Sequence, residues 1–207
     1  QNQSQSQNQN QNLVTKKLNT FCPGCKIWTS AVSPDRKHFA YAVEGKNGKY
    51  VLFLDGKEGK KYDGVISFTF FSPDSQHFAY VAYEGNKEFM VLDGEKSKGY
   101  DNIYPFTFSP DSQHFAYVAR EGNKEFMVLD GKGGKRYDRV YSPIFSSDSQ
   151  HLTYVAYEDN KYFVVLDGKG GKRYDWIYYL TFSPNGQHFA YRAYEGKKAF
   201  VVLDGKE

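Results

Sequence analysis

The sequence has only two cysteines in 207 residues, which excludes a small scaffold stapled by disulfides. It has no apolar run near the ~18 residues that a membrane-spanning helix needs. It has no stretch with a 3.6-residue apolar period, so helix has no foothold. Charge of one sign is scarce too. Lys plus Arg number 27 and Asp plus Glu 24, and the net +3 is accounted for by Lys16, Lys17 and Lys26 near the start, where no acid occurs. The remainder is neutral, which argues against a nucleic-acid binder driven by bulk charge. What the chain does have is 18% aromatics, with 18 Tyr and 17 Phe, and 19 Gly. Such a composition excludes disorder over most of the length.

The exception is the start. Residues 1–12 are Gln, Asn and Ser with one Leu just beyond. They have no apolar group to offset the entropy of ordering, and they read as a disordered tail. The chain opens on Gln1 rather than Met; if that reflects processing, the expected location is periplasmic or extracellular.

From residue 32 onward the chain repeats itself. The phrase from Phe71 to Tyr80, reading Phe-Ser-Pro-Asp-Ser-Gln-His-Phe-Ala-Tyr, returns from Phe108, Phe145 and Phe182, with a diverged copy from Val32. Residues 71–94 and 108–131 differ only at Tyr83 and Arg120. Internal repeats of this length mean a solenoid, propeller or array. The units fall at 32–70, 71–107, 108–144, 145–181 and 182–207.

Each unit reads as four strands. Ser72-Pro73-Asp74-Ser75 suits a type I turn. Phe78–Tyr83 is a continuous apolar run of the kind buried on both faces. Asp93-Gly94, repeated at Asp130-Gly131, Asp167-Gly168 and Asp204-Gly205, is a strong hairpin signal. In the third unit the expected strands are A at Phe106–Phe108, B at Phe115–Val118, C at Phe126–Leu129 and D around Arg136–Asp138. Four antiparallel strands in ~40 residues, repeated, describe a propeller blade. The predicted fold is all-β: a single five-bladed β-propeller spanning 13–207. The last unit lacks strand D. Residues 15–21 match the polarity pattern of 171–177, with Leu18 in the place of Tyr174 and Asn19 in that of Asp175. They are expected to complete the last blade and close the ring as a monomer; the rival reading is a five-unit portion of a larger ring or an assembly of several chains.

The Ser-Pro-Asp turn followed by apolar-Ala-Tyr, as in Ser109-Pro110-Asp111 leading to Phe115-Ala116-Tyr117, resembles the TolB-like repeats related to WD-type propellers. The resemblance spans residues 32–207. It implies a propeller used as a binding platform or as a non-catalytic domain joined to a hydrolase. The chain departs from that pattern in having Ser75, Ser112 and Ser149 where Gly is common, and Ser147 where Pro is common.

Candidate chemistry follows the repeat. His38, His77, His114, His151 and His188 share one position, too dispersed around a ring to bind one metal ion. Asp35, Asp74, Asp111 and Asp148 read as turn formers, since Asn185 stands at the fifth copy. Neither a metal nor a cofactor is expected. Cys22 and Cys25 read as a local disulfide or free structural thiols, or as half of a zinc site shared with another chain. The basic residues of the C–D loops, among them Lys60, Lys135, Arg136 and Arg173, are expected on the face of the Ser-Pro-Asp turns, where some would meet the turn carboxylates; they read as a solvated rim, with an anion-binding rim as the alternative.

The positions where near-identical blades differ are the informative ones. Asn102, Tyr104, Arg120, Arg139, Tyr141, Trp176 and Tyr178 are expected on the D–A and B–C loops, near one mouth of the ring. Residues of these types are enriched at interaction hot spots. The expected function is a non-enzymatic platform for a protein, peptide or glycan. A multivalent small-ligand or sugar binder with one site per blade is the alternative, and a ring-centre hydrolase or lyase a third reading.

Overall fold

The computed structural model describes residues 26–45 and 47–207. The tail, the predicted closing strand at 15–21 and Cys22 and Cys25 lie outside these residues. The described chain is all strand and turn, with no helix long and apolar enough to cross a membrane. Five antiparallel sheets follow one another. The first holds β1 (Lys26–Val32), β2 (Phe39–Glu44), β3 (Tyr50–Leu54) and β4 (Lys57–Tyr62). The second holds β5 (Gly64–Phe71), β6 (Phe78–Glu84), β7 (Lys87–Leu92) and β8 (Glu95–Lys96). The third holds β9 (Asn102–Phe108), β10 (Phe115–Glu121), β11 (Lys124–Leu129) and β12 (Lys132–Tyr137). The fourth holds β13 (Arg139–Phe145), β14 (Leu152–Glu158), β15 (Lys161–Leu166) and β16 (Lys169–Gly170). The fifth has three strands, β17 (Trp176–Phe182), β18 (Phe189–Glu195) and β19 (Lys198–Leu203).

The predicted A, B, C, D order therefore holds in sheets one to four. Strand A is longer than the sequence suggested, beginning directly after the Tyr-Asp dipeptide. Asp93 and Gly94 both adopt positive φ, 51° and 84°, which is the geometry of a two-residue hairpin matched to strand twist. The Ser-Pro-Asp turn is held by its own side chains. Ser72 Oγ donates to Asp74 Oδ1 at 2.5 Å and accepts the His77 N–H at 2.9 Å.

Packing between sheets uses two unlike faces. In the interface of sheets two and three, Phe115, Tyr117 and Phe126 of one blade pack on Ala79, Val81 and Met90 of the other. Large rings thus meet small side chains, and the same arrangement recurs between sheets one and two and between three and four. Burying a side chain of this size contributes about 1.5–3 kcal/mol. Tyrosine hydroxyls inside these interfaces pair across blades: Tyr80 with Tyr62 at 3.4 Å and Tyr117 with Tyr100 at 3.3 Å. The Asp of each Tyr-Asp dipeptide also reaches across. Asp101 takes the N–H of Gly122 at 2.6 Å and the ammonium of Lys87 at 2.6 Å.

The serines standing where Gly is common have a visible reason. Ser75, Ser112 and Ser149 hold φ near +65°, a strained region for a non-glycine residue. In return each hydroxyl accepts the N–H of the turn Asp of the preceding blade: Asp35, Asp74 and Asp111, at 3.0–3.1 Å. At the fifth copy the residue is Gly186, with φ +75°, and the Asp148 carboxylate lies where a Cβ would be, 2.5 Å away. Gln187 and Ser147 make the cross-blade bonds instead, to Asp148 Oδ2 at 2.9 Å and Ser183 O at 3.0 Å. Ser112→Ala should therefore cost about 1.5 kcal/mol, since it strands the Asp74 N–H and keeps the strain. Ser112→Gly should cost less, because it loses the same bond but relieves the backbone. Urea unfolding midpoints of the two variants check this.

The ends of the row differ from its middle. On the outward face of the fifth sheet Val201 is 75% exposed and Leu203 52%. Met90, Met127 and Val164, the counterparts of Val201, are buried under the next blade. Arg192, exposed there, occupies the position of the buried Val81, Val118 and Val155. On the first sheet Tyr41, Val43, Val51 and Phe53 form a buried cluster of their own.

Candidate functional site

The residues that break the repeat sit inside strands β9, β10, β13 and β17, not on loops as the sequence suggested. Most are explained by the blade before them. Glu88 on β7 accepts the Ile103 N–H at 2.6 Å through Oε2 and the Asn102 amide at 3.1 Å through Oε1. Arg120 then bonds the Asn102 side-chain oxygen. One blade on, Glu125 on β11 accepts the Val140 N–H at 2.9 Å, and Arg139 lies 3.4 Å from its other oxygen. Glu125 is buried, so this carboxylate is an interior tie between blades. Asn102, Arg120 and Arg139 are thus joined to the interfaces between blades. Tyr104 is half-buried against the core of sheets three and four.

The interface between sheets four and five departs from this scheme. The Glu position is Tyr162, and the residue that follows the Tyr-Asp dipeptide is Trp176. Instead of a carboxylate and its partner, two rings stack, with centroids 5.0 Å apart and planes 27° from parallel. Trp176 continues the stack to Tyr178 at 6.5 Å and 16°. Tyr157 packs on Tyr162 at 4.7 Å and Tyr141 at 6.1 Å. Tyr141, Trp176 and Tyr178, all expected site residues, therefore come together, and the structure adds Tyr162, Tyr157 and Tyr179. The signal for Tyr162 was in the sequence: it stands where blades two and three carry Glu.

These rings border a cavity of about 420 Å³ lined by Tyr141, Ile144, Tyr162, Trp176, Ile177 and Tyr179 among others, with no charged side chain in the lining. That volume falls within the ~300–1,000 Å³ of ligand pockets. Trp176 is 51% exposed and Tyr179 80%. Tyr179 has φ +56° where the β17–β18 register slips, an uncommon backbone for an aromatic residue and a mark of local strain. Burial pushes the hydroxyls of Tyr141 and Tyr162 above the usual phenol range, so the wall is uncharged at neutral pH.

The five histidines follow one geometry. Each Nδ1 lies 2.7–2.8 Å from the Asp of the Asp-Gly hairpin in its own blade, as His114 does from Asp130. The other oxygen of that Asp accepts the next backbone N–H, as from Phe115 at 2.9 Å. The paired Asp stands sixteen positions after the His in four units and seventeen in the first. Among the described residues no group of three or more His, Cys, Asp and Glu could hold a metal. The turn carboxylates do what turn formers do: Asp111 accepts Ser109 Oγ at 2.5 Å and the Gln113 N–H at 3.0 Å. Asn185 makes the same two bonds.

The hydroxyl bond, then the backbone bond, hold Asp74, Asp111 and Asp148 below the usual carboxylate range, and Asp35 at about 2. Groups with depressed folded pKa values stabilise the fold above the unfolded pKa of about 3.9, and that contribution is lost as pH falls through the folded values. Unfolding midpoints should be flat above pH 5 and fall between about pH 4 and pH 2. Asp111→Asn should make the fall shallower. An unchanged acid limb in that variant would show that these carboxylates do not set it.

The basic C–D residues do not meet the turn carboxylates. Several pair with the Glu of the B–C hairpins: Arg136 with Glu121 at 2.6 Å and Arg173 with Glu158 at 2.9 Å in their own blades, while Lys60 reaches the Gly94 carbonyl of the next blade at 3.4 Å. Lys98 crosses to Glu121 of the next blade at 2.7 Å. The strand continues past the D hairpin to the far side of the blade, and these side chains follow it.

No family model matches the sequence, and no curated protein sequence matches it. Solved structures do. The propeller domain of the Trilobed protease from Pyrococcus furiosus, described as having an open velcro topology, aligns with 88% of this chain and 69% of its own at a TM-score of 0.55 and 11% identity. An acylaminoacyl peptidase in complex with Z-Gly-Gly-Phe-chloromethyl ketone aligns with 91% of this chain at 0.51 and 14% identity. TolB from Acinetobacter baumannii aligns with 86% of this chain at 0.45 and 17% identity. The chain spans about half the length of that TolB chain and 40% of the peptidase chain. The expectation of a non-enzymatic binding platform is corrected by these matches, because structures of the same fold belong to a peptidase and a protease. The described residues, five consecutive antiparallel sheets packed face to face and matched at low identity by propeller proteins, have the β-propeller fold.

Proposed function

We propose that this propeller holds substrate for a hydrolytic enzyme, with bond cleavage supplied by a separate catalytic unit, and that the pocket between sheets four and five is where a peptide substrate is seated. The observation that carries this is an open, uncharged aromatic pocket at the interface of sheets four and five, in the place where the two preceding interfaces carry a carboxylate tie. Aromatic rings supply large contact area to apolar side chains and peptide planes. The similarity in fold to a peptidase and to a protease's propeller domain supports a hydrolytic setting. The serines beside the His–Asp pairs are engaged in their turns, their hydroxyls donating to Asp oxygens and accepting His backbone N–H groups. Their geometry is that of a turn and not of an activated nucleophile.

The sequence has two Trp, so Trp28→Phe leaves Trp176 as the only indole reporter. Titrating that variant with N-acetylated tripeptide amides carrying Phe should change Trp176 emission saturably, at one site per chain, with the peptide recovered uncut. Absence of saturable binding overturns the pocket's role; cleavage by the chain alone overturns the separate catalytic unit.

For the architecture, we infer a closed five-bladed ring completed by residues 15–21 along the open edge of β19. The three-stranded fifth sheet supports it, as does Tyr41. Its buried hydroxyl has no partner among the described residues, whereas Tyr80 and Tyr117 have Tyr62 and Tyr100. In the closed ring that partner position is Leu18. Leu18→Tyr should then supply the missing hydroxyl and raise stability by about 1 kcal/mol. A lower melting temperature in that variant would count against closure by this segment.

A further inference from the structure

We propose that the pocket between sheets four and five takes a peptide whose C-terminal residue is aromatic, with its free carboxylate on the Ile177 N–H. This rests on the pocket being the substrate site. The argument comes from what the other interfaces put there. At the interface of sheets two and three, the N–H of Ile103 is held by the Glu88 carboxylate; at the next, the N–H of Val140 is held by Glu125. Ile177 is the same position one blade on. Its register is the same as well: Ile103 faces Ala119, Val140 faces Ala156 and Ile177 faces Ala193. The backbone donor is therefore aimed the same way, into the space where two neighbouring blades place a carboxylate. Here that space is the cavity, and Ile177 lines it.

Tyr162 has replaced the Glu, and its ring leans on Trp176 instead of reaching the strand. What the interface lacks is thus a carboxylate, next to an aromatic wall that no charged side chain lines. A ligand carrying both a carboxylate and an aromatic ring supplies what the chain leaves out. The carboxylate would accept from a preformed backbone donor, and hydrogen bonds to charged groups are the stronger kind. The ring would lie against Trp176 and Tyr178, the exposed members of the stack.

The experiment compares N-acetyl-Ala-Ala-Phe as the free acid and as its C-terminal amide, using Trp176 emission in the Trp28→Phe protein. The acid should bind at least ~10-fold more tightly than the amide, consistent with a charge-assisted hydrogen bond. Equal affinities would sink the carboxylate proposal and leave the pocket standing. Failure of both ligands to bind would remove the pocket reading and this one with it. A second variant guards against a misfolding artefact. Tyr162→Glu installs the residue that two other interfaces already accommodate, so the fold should persist by melting temperature. Its carboxylate should occupy the Ile177 donor and reduce binding of the acid at least ~10-fold; undiminished binding would overturn the proposal.

Discussion

Val118→Arg is expected to destabilise the protein by more than about 4 kcal/mol, a large part of the 5–15 kcal/mol that typically holds a domain together. Val118 is wholly buried among Tyr137, Leu152 and Tyr154 of the next interface. A guanidinium there would be desolvated with no acid to pair it, and a buried unpaired charge is among the costliest changes known. The chain itself provides the control. Arg192 is the same position in the fifth sheet, where it lies exposed with its guanidinium 4.8 Å from the Tyr194 ring centre. In the closed ring inferred above the first blade would cover that face, and Arg192→Val should then raise stability by more than about 0.5 kcal/mol; a change no larger than that would show the face in water and count against closure. Chemical denaturation of both variants beside the parent makes the comparison direct.

The second large effect is expected at Glu125. Glu125→Ala removes the acceptor of the Val140 N–H and the partner of Arg139 in one step. The donor is buried, and leaving such groups unsatisfied costs about 1–3 kcal/mol, more where charge is involved. About 3 kcal/mol is expected, or a fall of roughly 6–12 °C in melting temperature for a chain of this length. The double variant Glu125→Tyr, Arg139→Trp should recover part of that loss, because it reproduces the stacked pair of Tyr162 and Trp176. A double variant no more stable than Glu125→Ala would mean that the stack depends on features of the fourth interface other than this pair.

Much of the fold was legible because the chain states it several times. The Ser-Pro-Asp turns, the Asp-Gly hairpins and the apolar B strand each predicted an element that exists. The start of strand A was not legible. Its residues, such as Asn102 and Arg139, are polar and look like loop; they are strand because they pair with strand B of their own blade, as Gly64 and Trp176 do, and Glu88 and Glu125 on the adjacent blade receive their side chains. That information is non-local, so no reading along one repeat could supply it. The same holds for the site. Tyr141, Trp176 and Tyr178 stood out by departing from the repeat, but so did Asn102 and Arg139, whose departures match their neighbours. Telling the two kinds apart required seeing Tyr162 and the two Glu residues at one position. The basic C–D residues were misplaced for a related reason, since their partners belong to hairpins on the other side of the blade and often to another blade.

The matched pairs also have a consequence for how such a chain can evolve. Glu88 goes with Asn102, Glu125 with Arg139 and Tyr162 with Trp176, each pair straddling a junction. Blades that are nearly identical elsewhere are thus not interchangeable parts. Each carries half of a lock on one side and half of a key on the other, so exchanging two blades would misalign junctions although every strand survived. Duplicating a blade is easy at the level of the gene, but the copy becomes a settled neighbour only once its two edges have been rewritten. The order of blades is written in those few residues, and the pocket lies where the writing changed from charge to rings.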